Sequence, residues 1–129
     1  MKVISVLLNA IHIIYMFAPF IIPLIPKLHL IKARVPLKFI FLVYILTPLH
    51  WHLFDNKCIL TLLSIKTGDY KGLNDKSWAF TDVYMRPIYE PLLKMVGLTW
   101  NLTNKIKITY VHWILIFIVL WYVVCFKLN

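Results

Sequence analysis

Charge is scarce in this chain. Of 129 residues only 15% are Asp, Glu, Lys or Arg, where a soluble domain carries about a quarter. Acidic residues are fewest, with five Asp and Glu against fourteen Lys and Arg, a formal net charge of +9. Cysteine occurs twice, and no CxxCH haem attachment and no paired CxxC zinc pattern is present. These shortages exclude a soluble globular domain, a disordered tail, a coiled coil and a nucleic-acid-binding module. What fills the chain instead is apolar: 61% of residues belong to AVILMFWYC and 16% are aromatic. The composition is that of a small integral membrane protein.

The charge-free runs locate the spans. Val3 to Pro26 holds 24 residues without Lys, Arg, Asp or Glu, enough to cross a hydrocarbon core of about 30 Å at about 1.5 Å per residue. It is long for the apolar region of a signal peptide, and no small-x-small cleavage site follows it. Ile108 to Phe126 holds 19 such residues between Lys107 and Lys127, with Trp113, Trp121 and Tyr122 toward its ends, as interfacial aromatics usually stand. Between them Phe39 to Phe54 is shorter, and extends back to Val35 if Lys38 snorkels its ammonium to the headgroups. The expected architecture is all-α, one membrane domain over 1–129 with spans at about 3–26, 35–54 and 108–126. Pro48 should kink or loosen the last turn of the second span.

The intervening residues 55–107 read as an amphipathic segment on the bilayer surface. Lys57, Thr61 and Ser64 recur at spacings of four and three, leaving Ile59, Leu60, Leu62, Leu63 and Ile65 for the other side. A polar turn follows over Thr67 to Ser77, with glycines, lysines and aspartates. Asp82, Arg86, Glu90 and Lys94 then stand four apart with alternating sign, acid before base in each pair, the better order along a helix. With Pro87 tolerated in a first turn, a helix should restart there and end at Gly97. Whether it adds a fourth span, its charges leave open.

Orientation follows from the first loop. Lys27, Lys32, Arg34 and Lys38 put four cations and no anion into 12 residues, whereas residues 55–107 carry eight cations against five anions. That loop should face the cytoplasm and meet anionic lipid headgroups, with the N-terminus and residues 55–107 outside and the C-terminus inside. Asn101-Leu102-Thr103 matches a glycosylation acceptor on the outer side, so close to the last span that the bilayer should leave it unused.

This topology gives the histidines a geometry. His50 lies five residues before Asp55 and His112 five residues after Lys107, each roughly 7 to 8 Å below the outer boundary at the helical rise. His12 lies deeper in the same half, and Cys58 just outside. An ionisable side chain within a span is a functional-site hypothesis. One reading is therefore a haem or metal site, or a proton relay, built from His12, His50 and His112. The commoner role of dispersed imidazoles is structural, hydrogen-bonding to water, a carbonyl or a neighbouring helix, and no cofactor is predicted on that reading.

Three motifs resemble a known family. Cys58-Ile59-Leu60-Thr61-Leu62-Leu63, then Asp69-Tyr70-Lys71-Gly72, then Val83-Tyr84-Met85-Arg86-Pro87-Ile88-Tyr89-Glu90-Pro91 resemble, in order, the centre of the small multi-pass membrane proteins called domain of unknown function 2784. The resemblance covers about residues 8 to 92 and marks Cys58, Thr61, Tyr70, Gly72, Tyr84 and Pro87 as family-motif positions, with His12 matching an early histidine. Ile59 stands where the family has proline and Ser64 where it has an acidic residue. Leu49-His50-Trp51-His52 is similar to segments of uncharacterised membrane proteins of large DNA viruses and algae. The resemblance implies a multi-pass helical fold and no activity. Three functions remain in view: a non-enzymatic structural or assembly protein contacting lipid, partner proteins or its own copies; an accessory subunit of a respiratory membrane complex; and a His-ligated redox or metal protein.

Overall fold

The computed structural model describes residues 2–54, 58–68 and 78–128. Among the described residues six α-helices run in the order α1 (Lys2–Ile21), α2 (Lys27–Lys32), α3 (Arg34–Leu53), α4 (Ile59–Lys66), α5 (Arg86–Met95) and α6 (Leu102–Tyr122). No strand occurs among the described residues. Val3–Leu24, Arg34–Leu53 and Leu102–Lys127 are each long and apolar enough to span a membrane. The chain is an all-α membrane protein, and these three spans match those read from the charge-free runs.

Local chemistry sets the helix ends. α5 closes on Gly97, whose φ of +78° favours a residue without a Cβ. Leu98 N–H reaches the Leu93 carbonyl at 2.9 Å and Gly97 N–H the Lys94 carbonyl at 3.0 Å, the paired bonds of a Schellman cap. α6 opens where the Asn101 side-chain oxygen accepts from Asn104 N–H at 2.9 Å. The glycosylation-like triplet is thus also a helix cap, with its asparagine engaged in the fold.

The helix ending at Gly97 does not restart at Pro87, as the sequence suggested, but runs from residue 79 through a widened π turn over Thr81–Met85. The wide turn immediately before Pro87 admits a ring that would clash with a regular preceding turn.

Residues 55–107 differ most from expectation. Thr61 and Ser64 do not form the outward face of α4: the helix packs along α1 with Thr61 3% and Ser64 1% exposed, while Ile59 and Leu63 face outward at 43% and 41%. The reason lies on α1, where Ser5, Asn9 and His12, spaced four and three apart, form a buried polar stripe. Ser64 Oγ donates toward Asn9 Oδ1 at 3.5 Å. Polar edges are buried against each other, where each can satisfy the other, and the apolar edge is left facing outward. The π turn and α5 fold in beside them: Phe80, Met85 and Tyr89 form one buried cluster with Met16 of α1.

The charged ladder also pairs differently. Glu90 takes both neighbours, Arg86 at 2.7 Å and Lys94 at 3.7 Å. Asp82, expected to pair with Arg86, instead binds Lys105 at 2.6 Å and accepts from the Trp100 indole at 3.2 Å, which ties the π turn to the start of α6.

At the opposite end of the bundle the first loop meets the C-terminus. Arg34 Nη2 donates to the Leu128 carbonyl at 2.7 Å, and Lys127 Nζ donates to the Pro23 carbonyl. Leu30, Leu37, Val123 and Leu128 pack together beneath these bonds.

Candidate functional site

In hydrocarbon an apolar side chain gains little by facing protein rather than lipid, so polar contacts decide how spans dock. Prolines create two such contacts here. Pro19 has no N–H for the carbonyl four residues before it, that of Tyr15, and Pro48 likewise frees the carbonyl of Tyr44. Tyr44 O–H donates to the Tyr15 carbonyl at 2.5 Å, and Trp113 Nε1–H donates to the Tyr44 carbonyl at 2.7 Å. Tyr15 O–H bonds to Thr47 Oγ1, and the Tyr15 and Tyr44 rings stack with centroids 4.5 Å apart. The three spans are stitched α6 to α3 to α1 through backbone groups that the prolines release. Sequence reading singled out Pro48 as a kink, took Trp113 for an interfacial aromatic and passed over Tyr15 and Tyr44; the signal was a proline four residues beyond each freed carbonyl.

The histidines take separate roles. His112, 8% exposed on α6, lies 2.9 Å by Nε2 from the Met16 carbonyl and 2.5 Å by Nδ1 from the Tyr89 hydroxyl. A carbonyl only accepts, so Nε2 carries the proton and Nδ1 accepts from Tyr89. Burial raises the Tyr89 phenol well above its ordinary value and keeps it a donor. This relay joins α5, α6 and α1. His50 Nε2 accepts from Ile59 N–H at 2.9 Å and so caps α4 from α3. His12 stacks on Phe80 with centroids 3.5 Å apart, and its Nδ1 is buried without a hydrogen-bond partner among the described residues.

The common depth of His50 and His112 therefore does not bring them to one site with His12. Among the described residues no group of three or more His, Cys, Asp or Glu stands close enough to hold a metal ion. A different set does meet: His12, Met16, Cys58, Thr61 and Met85 line one cavity of about 30 Å³. Cys58 is the N-cap residue of α4 and makes no side-chain capping hydrogen bond there; the Leu60 and Thr61 N–H groups and the Trp51 indole lie near its thiol. Burial pushes its thiol above the ordinary value, and these three donors oppose that rise in part. Cys58 and Cys125 are not joined to each other by a disulfide.

Lys27, Lys32, Arg34 and Lys38 lie at the end of the bundle where Lys127 also lies. Of the family-motif residues, Cys58 and Thr61 border the cavity, the Tyr84 ring lies 5.3 Å from Phe80, and Pro87 sits in the first turn of α5. Tyr70 and Gly72 lie outside the described residues, as do Lys57 and most of the polar turn. A second, larger hollow of about 690 Å³ opens between α1, α5 and α6, lined by Phe17, Tyr89, Leu93, Val111 and Leu115, with Lys107 beside them. No family model, no curated protein and no solved structure matches the chain.

Proposed function

We propose that this chain is a non-enzymatic membrane module that works by contact, presenting a tied three-span bundle to lipid and to other membrane proteins or further copies of itself. The observation that carries the reading is how little of each span the chain itself covers. Only 22% to 28% of the span windows is buried, and large side chains such as Ile14, Phe39, Val43, Ile114 and Ile118 face outward. The polar groups, in contrast, are spent largely on one another, in the Tyr15–Tyr44–Trp113 stitch and the Tyr89–His112 relay. Such an interior supports a packing role: it specifies one arrangement of helices and leaves the outer faces for partners.

The cationic end belongs to the same reading. Lys27, Lys32, Arg34 and Lys38, joined by Lys127, offer anionic headgroups about 1 kcal/mol each near a membrane surface. In this reading they face the cytoplasm, the N-terminus and residues 55–107 lie on the outer side, and the chain is a relative of the domain of unknown function 2784 proteins.

Extraction of the tagged chain in native lipid patches, followed by intact-mass analysis, tests the proposal. The expected result is a stoichiometric partner chain, a second copy or retained anionic lipid, with lipid retention reduced in the variant carrying K27A, K32A and K38A. A lone monomer that retains none of these overturns it.

A further inference from the structure

His12 Nδ1 is the one buried side-chain nitrogen or oxygen that lacks a hydrogen-bond partner among the described residues. An unsatisfied polar atom in a water-free interior is costly, and its persistence calls for a ligand or a function. The residue is 6% exposed, and its ring lines the small cavity. A space of about 30 Å³ accepts one water-sized sphere or one ion.

The hydroxyls of Thr61, Thr81 and Thr109 and the indoles of Trp51 and Trp78 border that space, together with four softer donors. Besides the His12 imidazole these are the Cys58 thiol and the thioethers of Met16 and Met85. Imidazole, thiolate and thioether are soft ligands, and thiolate with thioether selects Cu(I) over hard cations. They come from three segments, α1, the start of α4 and the π turn before α5.

We propose that this cavity is a site for one soft monovalent metal ion, Cu(I), held by His12 Nδ1, the Cys58 sulfur and the thioethers of Met16 and Met85. Charge selects the ion as well as softness. As the metal–sulfur bond forms, the Cys58 thiol gives up its proton to solvent, and one thiolate with one monovalent ion is neutral. A divalent ion such as zinc would leave a net positive charge in a buried enclosure that no described Asp or Glu lines. Because the ligands belong to three segments, the ion would tie α4 and the π turn to α1 and stabilise the fold as any native-state ligand does. The inference goes beyond the contact role and stands or falls separately from it.

The test is copper transfer to the detergent-purified full chain from the Cu(I)–bicinchoninate complex under ascorbate, read as loss of the complex's colour. One ion per chain is expected, together with a rise in melting temperature when Ag(I) is added. C58S, and separately the paired M16L/M85L variant, should each weaken uptake at least tenfold. Leucine for methionine conserves volume, so an unchanged helical circular dichroism spectrum separates a lost ligand from a lost fold. M95L, at a methionine 81% exposed and away from the cavity, should bind as the parent does. No transfer to the parent chain, uptake in C58S or M16L/M85L undiminished from the parent, or uptake abolished by C125S would each overturn the proposal.

Discussion

The indole N–H of Trp113 meets the backbone carbonyl of Tyr44 at 2.7 Å, and that carbonyl is the one Pro48 deprives of its helical donor. The residues are 69 positions apart, and the contact converts a local defect of α3 into the bond that docks α6 against it. Tyr44 repeats the move one span further along, its hydroxyl serving the Tyr15 carbonyl freed by Pro19.

W113F should therefore destabilise the bundle by about 1 kcal/mol, within the range of about 0.6 to 1.7 found for hydrogen bonds between transmembrane helices. In a P48A background the backbone N–H restored at that position serves the same carbonyl, and the cost of W113F should fall by at least half. Unfolding in mixed micelles measures both. An equal cost in the two backgrounds would show that the indole does not answer the proline.

The Tyr89–His112–Met16 relay predicts non-additivity. Y89F leaves His112 Nδ1 buried without its donor and should cost about 1 to 3 kcal/mol. With H112A already present, the same change should cost almost nothing, because the acceptor is gone. Additive losses would mean that the two side chains do not act together.

The reversed face of α4 is open to thiol chemistry. In a C58S/C125S background, the L63C thiol should react with a lipid-soluble maleimide, and the S64C thiol should be protected until the protein unfolds. The opposite pattern would return α4 to the bilayer surface, polar side to water.

Glu90 supplies a pH dependence. The Arg86 guanidinium that it accepts from holds its carboxyl below the ordinary glutamate value, with Lys94 adding to the effect. A folded-state pKa lowered in this way contributes stability that is present above the unfolded value and is lost as pH falls through the folded one. Helix stability should thus decline in acid below the ordinary glutamate range, by a small amount because the pair is exposed. E90Q should flatten that decline, and a decline of equal size in E90Q would assign it to other groups.

Much of this was legible in the chain. Runs without charge have a length that hydrocarbon thickness dictates, so α1, α3 and α6 could be read directly, and Gly97 marked the end of α5 because its backbone conformation suits glycine. Thr61 and Ser64 were correctly read as sharing a face, but periodicity says which residues stand together and not what they stand against. The outcome depended on Ser5, Asn9 and His12 of α1, about fifty residues earlier in the chain. Asp82 shows the same limit, since spacing favoured Arg86 and the fold supplied Lys105.

The sequence by itself determined membrane residence, three spans, and the positions of the carbonyls that Pro19 and Pro48 leave open. These follow from composition, helical rise and the missing proline N–H, which are properties of a segment and its immediate neighbours. Only the tertiary structure decided that Tyr44 and Trp113 close those openings, that His112 bonds to Tyr89 while His12 shares a cavity with Cys58, Met16 and Met85, and that α4 turns its polar side inward. Each of these is a choice of partner across tens of residues. In a medium without water, such a choice is made by whichever arrangement of the whole chain satisfies the most polar groups at once.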